Sequence, residues 1–316
     1  MGLYMSRRVA ALGVSLALLA GCASGSGAST PVTSASPPPT QPTPPPAPPS
    51  GFTSWSAVHP PATVTLQGIA QEITYTTGLT GVNSVSTPSA VTAATYVETL
   101  GANGLTTTLQ LQSALRTMTF SVPAGDQIGP AAQDKRLDLV TSADQTRLAI
   151  LADPSAFGWN YQSFGVWEAG VGTAGGSVGG VSAGAMTAAS AIPASGTATF
   201  TGGIGGVYLD PAGLDHRVGA GLTVNADFTA RTAALSSPAM IDLSTGAVYS
   251  GTGVSGTLSY AAGQNSLTGT LSTSRLAGTA TARFYGPAAD EVGGVFILRS
   301  GGLEELGGAF GAKRGP

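Results

Sequence analysis

Alternation of hydrophobic and polar positions is the dominant pattern from residue 51 to the end of the chain. In GLTVNADFTAR, residues 221–231, apolar side chains occupy every second position from Leu222 to Ala230, and mostly polar residues fill the positions between them. The segments RTMTFSV (116–122) and VSGTLSY (254–260) repeat this period of two, which is typical of half-buried β-strands. No segment shows a convincing amphipathic-helix period. The pattern therefore predicts an all-β fold.

Turn signals separate these strands at short intervals, for example Ala-Asn-Gly at 102–104 and Leu-Ser-Thr-Gly at 243–246. Short, Thr-rich strands with regular turns indicate a sandwich or a barrel, and small inward residues favour a narrow barrel filled with side chains. One segment, 168–195, is nearly pure Gly, Ala, Ser and Val. We interpret it as a connector between a first β region, 51–167, and a second, 196–316.

The first 50 residues have a different organisation. Arg7 and Arg8 precede an apolar run that is too short for a transmembrane helix, which is typical of a signal peptide covering residues 1–21. Leu-Ala-Gly-Cys at 19–22 resembles the lipobox of bacterial lipoproteins, which implies cleavage before Cys22 and acylation of that residue. An ordinary secretory peptide is the alternative. Cys22 is the only cysteine, so no disulfide can form within the chain.

The segment from Cys22 to residue 50 is rich in Pro, Ser and Gly. We expect a disordered tether that holds the folded part up to roughly 90 Å from the lipid. Ala23 follows the cysteine, where an aspartate would favour retention in the inner membrane under the enterobacterial rule. The expected location is therefore the outer membrane.

Composition narrows the possible chemistry. Charged residues make up 9% of the chain, against about 25% in ordinary soluble proteins. Only two lysines are present, so nucleic-acid binding is not expected. The chain has two histidines and no cysteine beyond Cys22, which leaves too few ligands for a zinc site of the usual Cys and His type. We expect no cofactor and no metal.

Two enzyme-like motifs lie in the Gly-rich segment. Residues 180–184, Gly-Val-Ser-Ala-Gly, fit the nucleophile elbow of α/β-hydrolases, and Asp210 and His216 follow in the required order. Gly170, Gly172 and Gly175 fit the dinucleotide-binding spacing. Neither motif is set in an alternation of strands and helices, and Gly/Ser-rich runs produce such matches by chance. We therefore expect a protein without catalytic activity.

A local concentration of charge marks the candidate binding residues. YLDPAGLDHRVG, residues 208–219, reads as a polar loop between strands of the second region. Solvated loop charges are the simplest interpretation, and a contact surface or a histidine ligand to haem iron or metal is the alternative. The candidate ligand-binding residues are Tyr208, Asp210, Asp215, His216 and Arg217.

The end of the chain resembles the closing segment of the β-barrel domain of transferrin-binding protein B. The shared residues of the pattern are Phe284, Tyr285, Gly286, Pro287, Ala289, Glu291, Gly293, Gly294 and Phe296, followed by the ending Phe310, Gly311, Ala312, Lys313 and Arg314. IPASGTATFTGGIGGVY, residues 192–208, is similar to the start of the same barrel. The residues themselves predict that a strand ends at Gly286-Pro287, because proline cannot continue a sheet. We expect Asp290 and Glu291 in the turn that follows. Gly293-Gly294 should form a bulge or tight bend.

The resemblance implies a small, handle-like β-sheet subdomain followed by an eight-stranded antiparallel barrel. It also implies a surface lipoprotein that captures iron, haem or their host carrier proteins and works with an outer-membrane transporter. The chain departs from that family in having one lobe, no long charged loops, and few aromatic and basic residues, so transferrin itself is a doubtful ligand. The alternatives are an adhesin or a structural envelope lipoprotein, and a membrane-spanning barrel, which the polar outer rows of the strands disfavour.

Overall fold

The protein is described by a computed structural model covering residues 52–78 and 81–315. These residues form two antiparallel sheets with almost no helix, which confirms the all-β prediction. None of the helices in these residues is long and apolar enough to span a membrane. The expected signal peptide, Cys22 and the tether lie outside the described residues.

The first sheet, which we name the handle sheet, has ten strands. Its order is β5-β4-β3-β1-β10-β9-β8-β7-β6, and β2 pairs with β1. The strands are β1 (Ala62–Gly78), β2 (Gly81–Val85), β3 (Thr92–Leu100), β4 (Thr106–Gln112), β5 (Thr117–Ser121), β6 (Gln127–Pro130), β7 (Leu137–Thr141), β8 (Arg147–Ala152), β9 (Gln162–Ala169) and β10 (Gly175–Gly184). A one-turn helix, α1 (Pro154–Phe157), follows β8, and the Asp153 side chain caps it by accepting hydrogen bonds from the Ser155 and Ala156 amides. Short 3₁₀ turns occur at Trp55–Ala57, Val122–Ala124 and Ala189–Ala191.

The second sheet closes into a barrel of eight strands. Around the ring the order is β11-β19-β18-β17-β16-β15-β13-β12, and β12 pairs with β11 to complete it. A two-residue strand, β14, pairs with β12. The strands are β11 (Thr197–Leu209), β12 (Asp215–Asp227), β13 (Thr232–Ser236), β14 (Ile241–Asp242), β15 (Ser255–Ser259), β16 (Leu267–Ser272), β17 (Ala277–Tyr285), β18 (Glu291–Arg299) and β19 (Glu305–Arg314).

Side-chain alternation determines which face of each barrel strand is buried inside. Leu222, Val224 and Ala226 of β12 are buried in the barrel core, while Asn225 between them is exposed. Aromatic rings fill the interior, with Phe284 lying 6.2 Å from Phe200, centroid to centroid. The barrel is therefore a packed core, as the small, alternating residues predict.

A second core joins the outer face of the barrel to the handle sheet. Ile73 of β1 and Phe164 of β9 pack with Val207 of β11 in this layer. The backbones approach closely where β10 crosses β19, because a Cβ on Gly180 would lie only 2.5 Å from the Gly308 carbonyl oxygen. Glycine at position 180 is therefore required by close packing of the two sheets.

The prediction that residues 168–195 form a connector is wrong for the central part of this segment. Residues 175–184 form β10, a buried strand that lies between β1 and β9 in the handle sheet. The segment lacks apolar bulk because large neighbours occupy the space above its glycines: a Cβ on Gly179 would lie 2.2 Å from the Trp167 ring. Close packing on both faces of the strand removes the alternation that marks other strands.

The turn and bulge expected in the closing motif also need correction. The turn covers 286–290, where Gly286 has a φ of +87°, and Glu291 is not in it but is the first, buried residue of β18. Pairing of β18 with both neighbours runs without a register shift through Gly293 and Gly294. These glycines do not bend the strand: a Cβ on Gly293 would lie 2.2 Å from the Gln162 side-chain oxygen of the handle sheet.

Candidate functional site at one end of the barrel

Four connections between barrel strands meet at one end of the barrel, which we name the Tyr208 end. They are the segments 210–214, 237–254, 273–276 and 300–304. They meet because β11, β13, β16 and β18 all end on this side of the antiparallel barrel. Side chains that are distant in the sequence are thereby brought together.

Tyr208, Arg275 and Glu304 form a hydrogen-bonded network at this end. The Tyr208 hydroxyl donates to Glu304 Oε1 at 2.7 Å, and Arg275 Nη2 donates to the Tyr208 oxygen at 2.9 Å. Arg275 Nε donates to the same Glu304 oxygen at 2.8 Å. Burial, followed by the Glu304 carboxylate, raises the pKa of Tyr208 to about 12. The network joins the end of β11 to two of the connections, 273–276 and 300–304.

His216 contributes a second cluster next to this network. Its ring lies 4.7 Å from the Tyr249 ring and 6.1 Å from the Tyr208 ring, centroid to centroid. His216 Nε2 lies 3.3 Å from Asp210 Oδ2. Partial burial alone would raise the pKa of Asp210, but hydrogen bonds from the Leu214 amide, His216 and the Ala212 amide hold it below its usual value. The carboxylate is therefore available to orient the imidazole.

Apolar side chains are exposed in the same connections. Val248 is 63% exposed and Leu214 is 50% exposed. They lie in the connections that also carry Tyr249 and Asp210. Tyrosine and arginine, which are enriched among the residues that dominate binding energy at protein interfaces, lie beside these apolar side chains at the same end of the barrel.

The five predicted site residues divide between two surfaces. Tyr208, Asp210 and His216 come together at the Tyr208 end, whereas Asp215 and Arg217 lie on the opposite face of β12, toward the handle sheet. The predicted polar loop is wrong over most of its length, because residues 208–209 end β11 and residues 215–219 begin β12. Alternation along β12 then directs His216 away from both of its neighbours.

Three residues of the site were not found from the sequence: Tyr249, Arg275 and Glu304. Each lies in a connection whose sequence contains no recognisable motif. Glu304 is also separated from Tyr208 by 96 residues. Barrel closure alone brings them together. Only a correct register for all eight strands would have identified them.

The segment that fits the nucleophile elbow, residues 180–184, lies in a buried strand. Ser182 lies within β10 and is buried, with its Oγ 2.9 Å from the Tyr285 hydroxyl. A nucleophile elbow instead places its serine on an exposed turn between a strand and a helix. No group of three or more His, Cys, Asp or Glu side chains in residues 52–78 and 81–315 is arranged to hold a metal ion.

The second sheet matches a known domain family. Residues 192–314 match the family model described as the C-lobe and N-lobe beta barrels of Tf-binding protein B. The resemblance read from the closing motif is therefore confirmed, and this part of the chain is a barrel of the transferrin-binding protein B type. No curated protein matches the sequence of the chain.

Solved structures with a similar fold were also found. A mutant of the vaccine antigen transferrin-binding protein B from Haemophilus parasuis is 13% identical, with 81% of this chain and 77% of that chain covered and a TM-score of 0.43. The apo haemoglobin receptor HpuA from Kingella denitrificans is 13% identical, with 84% and 91% covered and a TM-score of 0.41. Transferrin-binding protein B from Neisseria meningitidis is 11% identical, with 81% and 77% covered and a TM-score of 0.40.

Proposed function

We propose that this protein is a lipid-anchored protein of the outer-membrane surface that binds a nutrient ligand, such as iron, haem or a host protein that carries them. It delivers the ligand to an outer-membrane transporter and does not transform it. The family match of residues 192–314 carries this proposal. The lipobox at Cys22 and the proline-rich segment after it are consistent with a surface-tethered receptor.

The Tyr208 end is the surface that we propose for ligand contact. It combines the exposed Val248 with the partly buried pair of Tyr249 and His216. The network of Arg275, Tyr208 and Glu304 fixes the connections around them. A partner protein that contacts this end can bury aromatic and apolar surface with little loss of conformational freedom, because the barrel is already ordered.

The test compares two similarly exposed apolar residues, one at the Tyr208 end and one on the handle sheet. Val248 is 63% exposed at the Tyr208 end, and Leu105 is 66% exposed in the turn between β3 and β4 of the handle sheet. Exposed substitutions change stability little, so Val248→Asp and Leu105→Asp should both fold. Kd for haem, host transferrin and host haemoglobin is measured by calorimetry with the full chain.

We expect Val248→Asp to weaken binding of the cognate ligand at least tenfold, about 1.4 kcal/mol, and Leu105→Asp to leave Kd unchanged. Equal effects of the two variants on Kd would show that the ligand does not bind at the Tyr208 end. Failure of all three ligands to bind the wild type, together with normal growth of a deletion strain under iron and haem limitation, would contradict the proposed function. Loss of attachment in that strain would instead support an adhesin.

A further inference from the structure

A buried glutamate lies where the handle sheet meets the barrel. Glu168, on β9, is only 2% exposed. The Tyr75 hydroxyl of β1 donates to its Oε1 at 3.0 Å. Its other oxygen, Oε2, is buried without a hydrogen-bond partner among the described residues. A buried carboxyl oxygen without a donor is unfavourable unless it carries the proton itself.

Two charged groups of the barrel face Glu168. Asp215, at the start of β12, lies within hydrogen-bonding reach, and Arg217, two residues further along the same face, is also near. From the handle sheet, Tyr75 is the titratable group in contact. Asp215 is exposed to solvent, so the carboxyl pair lies at the edge of the interface.

The surroundings favour a neutral Glu168. Burial, and then the negative charge of Asp215, raise the pKa of Glu168 to about 8, although the Tyr75 hydroxyl and the Arg217 charge act in the opposite direction. At neutral pH the group is therefore a carboxylic acid with one proton to donate. Asp215 provides an acceptor on the facing strand.

We propose that Glu168 and Asp215 share one proton across the interface between the handle sheet and the barrel, and that loss of this proton loosens the interface at the Tyr208 end. Two carboxylates in contact repel each other, and a charged Glu168 needs water that the closed interface does not admit. Water can enter from the exposed side of Asp215.

The contacts that should respond lie next to the pair. Strand β2 pairs with β1 at Tyr75, opposite Val85. It reaches the barrel through the Val82 amide, which donates to the Gly213 carbonyl at 3.0 Å, and through the Val85 carbonyl, which accepts from Arg299 Nη2 at 3.3 Å. Separation of the sheets at Glu168 breaks these two bonds first. This change requires no ligand.

Hydrogen exchange of the purified full chain between pH 6 and pH 9 tests it. The peptides to follow cover 81–85 and 210–214, after correction for the pH dependence of intrinsic exchange. We expect their protection to fall above about pH 8, by up to about tenfold per pH unit for a single linked proton. Glu168→Gln, whose amide is neutral and can still donate to Asp215, should lose clearly less protection than wild type at pH 9, and the loss that remains is due to Glu305, which ionises over the same range.

Asp215→Asn should move the midpoint to lower pH, because it removes the charge that opposes ionisation of Glu168. Glu98→Gln is the control: Glu98 is a buried glutamate inside the handle sheet that accepts from the Tyr96 hydroxyl at 2.9 Å, and the wild-type transition should persist. The same loss of protection in wild type and Glu168→Gln, or an unchanged midpoint in Asp215→Asn, would overturn the proposal.

Discussion

Tyr208 and Tyr249 lie side by side at the candidate site but differ in their roles. The Tyr208 hydroxyl is buried between Glu304 and Arg275, whereas the Tyr249 ring is only partly buried and lies against His216. The ring centroids are 5.3 Å apart. We infer that the first tyrosine stabilises the connections and the second is free to contact a ligand.

The substitution Tyr208→Phe tests the structural half of this division. It removes a hydrogen bond to a charged group and leaves Glu304 with fewer donors, which should lower the free energy of unfolding by about 1.5–3 kcal/mol. Tyr249→Phe keeps the ring against His216 and should stay within about 0.5 kcal/mol of wild type. Urea unfolding at pH 7 measures both. Equal losses of stability in the two variants would show that the hydrogen bonds of the Tyr208 hydroxyl do not stabilise the fold.

At the residue scale the sequence predicted part of the site. Tyr208, Asp210 and His216 were identified because they fall in one charged segment of a chain with few charges. The sequence could not show that Asp215 and Arg217 face the other way, because that depends on whether residue 215 is in a loop or a strand. Once β12 begins at Asp215, alternation decides the question.

At the scale of elements, Glu291 attaches the start of β18 to the handle sheet. Its carboxyl oxygens accept hydrogen bonds from the amides of Asn160 at 2.6 Å and Tyr161 at 3.0 Å. Burial raises the pKa of Glu291 to about 7, although these two amides oppose the shift. The closing motif therefore joins the handle sheet to the barrel as well as ending a barrel turn.

Glu291→Ala should cost about 3 kcal/mol of stability, because two amides at a buried contact lose their acceptor. Asp290→Ala, one residue earlier in the turn, should cost under about 1 kcal/mol, since its Oδ2 accepts from the Ala288 amide at an exposed position. Chemical denaturation of both variants measures the difference. A loss below 1 kcal/mol for Glu291→Ala would mean that water replaces the carboxylate without cost.

Strands could be predicted from the sequence where one face is buried and the other is exposed to solvent. Strand β12 shows this alternation, and so does β5 with Met118 and Phe120 buried. Strand β10 does not, because both of its faces are covered and glycine fills the places where neighbours come too close. Period-two patterns report a polarity difference between faces, so a strand between two cores is missed.

At the scale of the whole molecule, buried acids make stability depend on pH. Burial raises the pKa of Glu168 and of Glu305 from 4.5 to about 8. Glu305 is 1% exposed and lies on the barrel face toward the handle sheet, with Arg299 Nε 3.9 Å from its Oε2. In the folded state both groups keep protons that the unfolded chain releases above about pH 4.5.

The free energy of unfolding should therefore fall as pH rises from 5 to 9. A raised folded-state pKa contributes stability that is complete below the unfolded value and is lost as pH rises through about 8. Each proton adds a slope of up to about 1.4 kcal/mol per pH unit. The double variant Glu168→Gln, Glu305→Gln should flatten the profile measured by denaturation at several pH values. A wild-type stability that is constant or rises between pH 5 and 9 would contradict the burial of neutral acids.

The proposed function also depends on where the protein is located on the cell. A receptor for a host ligand must face outward, and an acylated Cys22 with a proline-rich segment behind it would hold the folded part at the surface. Cys22→Ser should abolish lipid attachment and, because the lipobox cleavage also requires the cysteine, should leave the signal segment in place and keep the protein from reaching the cell surface. Added protease should remove the folded part from intact wild-type cells by cutting within residues 23–50. An inward-facing lipoprotein would lose its lipid in Cys22→Ser in the same way but would be protected from protease in intact wild-type cells, so the two measurements together separate a surface receptor from an inward-facing lipoprotein.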